Sequence, residues 1–242
     1  MIFDLFKSKP RLKELIPNGF VDIHSHILPG IDDGAKNIEE SLKLINGMKK
    51  LGFAKIIATP HTYSGVYNNT KETIKESFEI IKEKLKNNFI IEYASEYMID
   101  DSIRQKIDNK SLLTIKGNYI LIEFSYISFP INVYEIIFLL VSNGYIPIIA
   151  HPERYLYLNN KFDEYKKLKD FGCKFQLNLL SVTGFYGKEV LELSDKLLNG
   201  AFIDFVGSDI HYEKQIKMFN NKIKIKNINM LELAIKSNSI FK

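Results

Sequence analysis

A chain of 242 residues, 45% hydrophobic and 26% charged, is long enough to bury a substantial core and suits a single large α/β domain, which excludes fibrous and disordered classes. No apolar run approaches the roughly 18 residues of a spanning helix, "MIFDLFKSKPRLKELIPNG" lacks the apolar core of a secretory signal, and a lone cysteine, Cys173, excludes an internal disulfide, so a cytoplasmic protein without membrane insertion is expected. With a net charge of only +4 and thirty lysines spread along the chain, nucleic-acid binding is not expected, although an anionic substrate is compatible.

The opening segment, 1–18, places Ile2, Phe3, Leu5 and Phe6 before "KSKPRLK" and reads as an amphipathic N-terminal extension to a domain over 19–242. It is expected to cap the fold, to mediate self-association or to touch a membrane-bound partner. "GFVDIH" (19–24) reads as a strand, and "NIEESLKLINGMKKLG" (37–52) as a helix with Ile38, Leu42, Ile45 and Met48 at helical spacing behind a capping Asn37. "AKIIATPH" (54–61) is the next strand, ended by Pro60, and "TKETIKESFEIIKEKLK" (70–86) a helix behind a capping threonine. Strands follow in "FIIEYASE" (89–96) and "NYILIEFS" (118–125), with a short helix over 101–107 between them. The remainder alternates: helix 131–143, strand "YIPIIAH" (145–151), helix 162–171, strand "CKFQLN" (173–178), helix 188–198, strand "AFIDFVGSD" (201–209) and a last helix over 228–236. The basic stretch "KMFNNKIKIKNINM" (217–230) has no stacking pattern of aromatics and reads as a solvated face.

Seven strands separated by helices predict a parallel β/α architecture, either an open doubly wound sheet or a closed barrel. No glycine-rich dinucleotide fingerprint follows the first strand. No repeat, low-complexity tract or Pro/Gly-rich linker divides the chain, so one domain is expected.

All five histidines, His24, His26, His61, His151 and His211, fall at the C-terminal ends of predicted strands, the face that carries the chemistry in barrel enzymes. Asp22, Asp33, Glu96, Glu123 and Asp209 lie at the same level. A mixture of imidazole and carboxylate suits Mn, Fe or Zn rather than a structural thiolate zinc site. In His24-Ser25-His26 the residues i and i+2 leave one face of an extended chain, so both rings reach a single ion, and Asp209-Ile210-His211 repeats the geometry. Even with Asp22 set aside, nine such donors exceed what one ion accepts, which predicts two or three ions of the kind that activate water and clamp a phosphoryl group.

Arg154, in "HPERY", is one of only three arginines and stands three residues after His151; its planar fork suits two phosphate oxygens, the plainer reading being a surface ion pair. A cysteine-based phosphatase is disfavoured, because Leu179 stands six residues after Cys173 where that class needs an arginine. Cys173 therefore reads as a buried strand residue.

Taken in order, "DIHSHILPGIDDGAKNIEES", "ATPH", "IEYASEYM", "YILIEFS", "IIAHPERY" and "GSDIH" resemble the polymerase-and-histidinol-phosphatase (PHP) superfamily, and within it the bacterial manganese-dependent protein-tyrosine phosphatases of capsule and exopolysaccharide clusters. The resemblance implies a distorted (β/α)7 barrel with Mn2+, or Fe or Zn, at two or three positions. It assigns His24, His26, Glu96 and Asp209 to a first ion, with Glu96 bridging to a second completed by Glu123 and His151, and Asp33, His61 and His211 to a third. Arg154, Asp209 and His211 are the catalytic candidates, Asp32 either supports a ligand from behind or serves as a turn residue beside Gly34, and Asp22 either orients a histidine or is structural. The family's second arginine is missing from "HYEKQIK", where only Lys214 and Lys217 are available for a second phosphate contact. The implied activity is hydrolysis of phosphotyrosine by a metal-activated hydroxide, with a bacterial tyrosine kinase as substrate protein. Tyr63, Tyr67, Tyr126 and Phe129 would either flank the phosphotyrosine ring or pack. The alternatives are a phosphoesterase acting on a small phosphomonoester such as histidinol phosphate, a non-catalytic metal-binding docking module, and a nuclease or proofreading domain, the last weakened by the scattered lysines.

Overall fold

The computed structural model describes residues 8–85 and 89–242. A single helical turn, α1 (Leu12–Leu15), leads into β1 (Phe20–Asp22), and α2 (Ile38–Lys50) returns the chain to β2 (Phe53–Ala58), which resumes after Thr59 and Pro60 as β3 (His61–Thr62). Next come α3 (Lys71–Lys84), β4 (Ile90–Tyr93), its continuation β5 (Glu96–Met98) and α4 (Ser102–Asp108). Alternation is then regular through β6 (Tyr119–Glu123), α5 (Val133–Ser142), β7 (Ile146–Ala150), α6 (Phe162–Asp170), β8 (Lys174–Asn178), α7 (Lys188–Asn199) and β9 (Phe205–Gly207), and the chain closes with α8 (Glu213–Met218) and α9 (Ile228–Ser237). The two expected caps are made: Asn37 Oδ1 accepts from the Glu40 amide at 3.0 Å, and Thr70 and Thr73 cap one another reciprocally.

Every ladder is parallel, in two sheets ordered β1-β2-β4 and β3-β5-β6-β7-β8-β9. Two of the seven anticipated strands are therefore broken, at Thr59-Pro60 and at Ala94-Ser95. Proline has no N–H to continue a ladder, so the strand ends before it and restarts beyond. The Glu96 amide donates to Pro60 O at 3.0 Å across the first break, and Ala94 N to Ala58 O at 2.8 Å across the second. Beyond their ends the last and first strands also meet: Asp209 N donates to His24 O at 2.8 Å, His26 N to Ile210 O at 2.9 Å, and Ser25 pairs with Ile210 as an isolated parallel bridge. The described residues thus form two parallel sheets touching along their margins, not the single closed ladder of an expected barrel.

Central strands carry apolar residues on both faces, as parallel sheets covered by helices require. One cluster, with Val21, Ile23, Ile57, Leu121, Ile148, Phe205 and Phe241, lies among the strands, while a larger one joins the strands to the helices. The 3-10 turn Asn238–Phe241 plugs the N-terminal end of the strands. Asn238 donates to Val21 O at 2.9 Å and Val206 O at 2.8 Å and accepts from Val206 N at 3.0 Å, so a buried amide splices β1 to β9. The hydrophobic start, Ile2 to Phe6, lies outside the described residues. Helix α1 packs on the body, with Leu12 fully buried and Leu12 N donating to Asn221 O at 2.9 Å.

Sequence periodicity did not reveal α8, because its one buried residue, Gln215, is polar. In the basic stretch after it, Lys222, Lys224 and Lys226 are exposed, but Ile223 and Ile225 are buried between them, so that only one side is solvated. No helix among the described residues is long and apolar enough to cross a membrane.

Candidate metal centre

Past Asp22 the chain of β1 stays extended, and His24 and His26 leave it on one side with their rings 5.3 Å apart. Both are completely buried, and their Nε2 atoms stand 3.2 Å from each other. Facing them, Glu96 Oε2 lies 3.1 Å from His24 and 3.4 Å from His26, and Asp209 Oδ1 lies 3.3 Å and 3.4 Å away. Donors spaced in this way match the corners of a coordination sphere whose bonds are about 2.0–2.2 Å long. Glu96 arrives from the restart at β5, Asp209 from the end of β9.

The outer nitrogen of each ring is held. His24 Nδ1 donates to Gln176 Oε1 at 2.8 Å and His26 Nδ1 to Asp32 Oδ2 at 2.7 Å, which aims both Nε2 atoms at the cluster. Asp32 also accepts from Gly34 N at 2.9 Å and His61 N at 3.1 Å, so it binds the turn to two histidines. Only glycine fits at 34, since a Cβ there would come within 2.0 Å of His26 O. This close approach folds "LPGIDDGA" back and leaves Asp33 half exposed over the cluster.

A second group forms around His61, whose Nδ1 lies 2.8 Å from Glu123 Oε1 and 3.1 Å from Glu96 Oε2, while its Nε2 is 3.5 Å from Asp33 Oδ1. His211 Nε2 is likewise 3.5 Å from Asp33 Oδ1, and its Nδ1 is tied to Asp209 O at 2.9 Å. His151 Nε2 meets Glu96 Oε1 at 3.0 Å. All nine candidate donors are therefore brought to one place, in overlapping groups: His24, His26 and Glu96; His24, His151 and Asp209; His61, Glu96 and Glu123; His26, Asp33, His61 and His211. His61 sits between the anticipated second and third sets, nearer Glu123 than the family pattern suggested.

Two buried atoms in this group, Glu96 Oε2 and His61 Nδ1, have no aligned hydrogen-bond partner despite their proximity. Buried polar atoms are seldom left so, and donors aimed at a shared cation account for it. Burial, the largest influence, pushes His151 down to about 4, which keeps its imidazole neutral and fit to ligate. Burial works against ionisation of Glu96, but the His24 and His61 rings hold it well below the carboxylate range. Strain is also stored here: His151 and Asp209 adopt φ of 34° and 50°, in the left-handed region.

Arg154 sits on the 3-10 turn after His151 and is no surface ion pair. Its Nη1 donates to Asp209 Oδ2 at 2.9 Å, and its guanidinium lies between the rings of Tyr126 and Tyr186, 4.7 Å and 4.4 Å from their centroids. Asn178 Nδ2 donates to the same Asp209 oxygen at 2.8 Å and to the Tyr186 hydroxyl at 3.0 Å. Asp22 meets no histidine side chain; it accepts from the Ser208 amide at 2.8 Å and hydroxyl at 2.6 Å, and burial pushes it up to about 7. Lys217 pairs with Glu213 at 2.9 Å, while Lys214 lines a cavity of about 500 Å³ with Asp33, His211 and Tyr212.

Of the flagged aromatics, Tyr67 stacks on His61 at 5.5 Å and Tyr126 on His151 at 5.7 Å, whereas Phe129 packs against Phe124 and Tyr63 closes a turn with Tyr67. Cys173 is buried away from the donors, and burial pushes its thiol up to about 12. Sequence reasoning passed over Gln176, Asn178, Tyr186 and Gln215. A signal existed for the first two: polar residues alternate with apolar ones in "KFQLN", inside a strand that is otherwise core.

A family model described as capsular polysaccharide synthesis, CpsB/CapC, matches residues 20–225. The chain is similar to the tyrosine-protein phosphatase YwqE of Bacillus subtilis (strain 168), with 33% identity over 198 residues, covering 80% of this chain and 78% of that protein. It is also similar to a putative tyrosine-protein phosphatase, CapC, of Staphylococcus aureus, with 35% identity over 199 residues, 79% of this chain and 76% of that one. Among solved structures it resembles a chain from the crystal structures of YwqE from Bacillus subtilis and CpsB from Streptococcus pneumoniae, metal-dependent tyrosine phosphatases, with a TM-score of 0.76 and 30% identity over 92% of this chain and 88% of that one.

Proposed function

We propose, from the premise that this chain belongs to the CpsB/CapC family of capsular polysaccharide synthesis proteins, that it is a metal-dependent protein-tyrosine phosphatase. The observation that carries this reading is the convergence of five imidazoles and four carboxylates from separate strand ends, with four donor atoms 3.1–3.4 Å apart. His24, His26, Glu96 and Asp209 would hold a first ion, Glu96, Glu123 and His151 a second, and Asp33, His61 and His211 a third. The donor chemistry favours Mn2+, with Fe or Zn compatible. When bound, such ions activate water and offset charge on a phosphoryl group.

The chain's own residues do the rest. Arg154 spends one N–H on Asp209 and keeps the remainder of its fork for two phosphate oxygens, held in plane by two tyrosine rings. Asp209 serves twice, with Oδ1 toward the histidines and Oδ2 fixing Arg154, while His211 is oriented through Asp209 O. Lys214, which lines the cavity beside Asp33 and His211 while Lys217 pairs with Glu213, would supply the second phosphate contact. A tyrosine leaving group has a pKa near 10 and departs with little proton donation. A cysteine nucleophile has no part, given the buried and protonated Cys173.

The same reading takes the split ladder as a distorted (β/α)7 barrel of the PHP type opened at Pro60 and Ser95. It places the protein in the cytoplasm, where a lone thiol stays reduced, with a tyrosine kinase of capsule or exopolysaccharide synthesis as its phosphoprotein substrate. Turnover of a phosphotyrosine peptide by the manganese-loaded protein, set beside histidinol phosphate, tests it. Faster peptide hydrolysis, abolished by chelator, is expected. Preference for histidinol phosphate would transfer the site to small phosphomonoesters, and inertness toward both would leave a docking module.

A further inference from the structure

Ile127 is 91% exposed, Ile131 completely so, and Val66 56%. Large aliphatic side chains held this far into water mark contact surfaces when they share one rim, and three loops join these into one. Ser64 N donates to Asp100 Oδ2 at 3.3 Å, tying the turn that carries Val66 to the loop after β5, and Asn132 Nδ2 donates to Asp101 Oδ1 at 2.7 Å, tying that loop to the one that carries Ile127 and Ile131. The latter loop is anchored from within: Phe129 packs on Phe124 and Tyr134, and the Tyr157 hydroxyl donates to Ser125 O at 2.9 Å. Neither isoleucine is needed for that anchorage.

Position gives the exposure its meaning. Val66 precedes Tyr67, which stacks on His61, and Ile127 follows Tyr126, which stacks on His151 and covers Arg154. Val66 and Ile127 thus each neighbour in sequence an aromatic that stacks on a donor histidine, and Ile131 lies farther along the loop that carries Ile127. A phosphotyrosine whose phosphate reaches Arg154 would carry its neighbouring residues across this rim, since each extended residue advances about 3.3–3.6 Å.

We infer that Val66, Ile127 and Ile131 form an apolar docking rim for aliphatic or aromatic residues flanking the phosphotyrosine of a protein substrate. The inference rests on the phosphatase reading above and names the substrate class that the same site prefers. A small aryl phosphate carries no flanking residues and gains nothing from the rim, which provides an internal control.

The test uses the full-length manganese-loaded protein, wild type and the double variant Ile127→Ser/Ile131→Ser, with p-nitrophenyl phosphate and two phosphotyrosine peptides of equal length and charge, one flanked by leucine and valine, the other by serine and glutamine. Burial of one or two aliphatic side chains is worth about five- to tenfold in kcat/KM for the apolar peptide, and the double variant is expected to erase that preference while its p-nitrophenyl phosphate turnover matches wild type. Equal turnover of both peptides by wild type, or a preference that survives in the variant, overturns the rim while leaving the phosphatase reading intact. No hydrolysis of any of the three sinks both together. A wild-type dimer that the double variant converts to a monomer in sedimentation would give the surface to a second copy and overturn the inference as well.

Discussion

The two ends of the strands are built on opposite terms. At the N-terminal end Phe241 sits against Phe205 at 4.9 Å and Tyr119 at 5.3 Å, Asn238 satisfies three backbone groups, and Lys55 donates to Phe241 O at 3.0 Å, so these polar groups have partners and the rest is aromatic packing. At the C-terminal end Glu96 Oε2 and His61 Nδ1 lack partners, two non-glycine residues are left-handed, and five imidazoles crowd four carboxylates. Partnered polar groups and aromatic packing occupy the plugged end and the residues proposed to hold cations the open one, because donors arranged for cations would be poorly arranged for each other.

Substitutions should separate the two ends. The largest effect belongs to Asp209→Ala, which removes both a donor and the Arg154 anchor; a loss of about 10³-fold in kcat/KM on aryl phosphate, near 4 kcal/mol of transition-state stabilisation, is expected, with an unlowered denaturation midpoint. A drop in stability comparable to the drop in activity would erase the contrast. Phe241→Ala should do the reverse, costing about 3–5 kcal/mol in denaturant unfolding through the cavity it leaves, with kcat per folded molecule unchanged.

Tyr186→Leu sharpens the comparison within the open end. Removing one wall of the guanidinium sandwich should raise KM for aryl phosphate about tenfold with little change in kcat, whereas Tyr186→Phe, which keeps the ring, should stay within about threefold of wild type. Equal damage from both would assign the role to the hydroxyl and its bond to Asn178. The smallest effect concerns Cys173, in the core around the strands. Its thiol is pushed by burial from an ordinary value of 9.0 up to about 12, so its contribution to stability is complete below pH 9 and is lost as pH rises toward 12. Disulfide-exchange reagents at pH 8 should label it only on unfolding; rapid labelling of the native protein would show the core to be open there.

Much of the open end was legible because its chemistry is carried by rare residues at strand ends. Five histidines in 242 positions, two of them at i and i+2, stand out in any reading, and Arg154 stands out for the same reason against thirty lysines. The strands and the caps at Asn37 and Thr70 were legible from alternation and capping chemistry. The supports around the donors were not. Gln176 and Asn178 look like ordinary polar residues in a strand until the sheet turns them inward, and Tyr186 in "GFYGK" has no periodicity to mark it. Asp22 looks able to orient a histidine because it stands just before the pair, yet Ser208 occupies both of its carboxylate oxygens. The plug was hidden too, since "SNSIFK" lies beyond the last expected helix and Asn238 gains its meaning only from Val21 and Val206, which are distant in sequence. The split of the ladder into two sheets was hidden as well: at Thr59-Pro60 it follows from a proline that cannot donate in the middle of a strand, but at Ala94-Ser95 no residue type marks it.

The claim beneath all of this is that the crowded end exists to hold several cations at once. Elemental analysis of protein purified without chelators tests it most directly. Roughly two or three Mn, Fe or Zn ions per chain, falling by at least one in Glu96→Gln with aryl phosphate hydrolysis falling in step, is the result expected. Hydrolysis at full rate by protein carrying well under one ion per chain would contradict it.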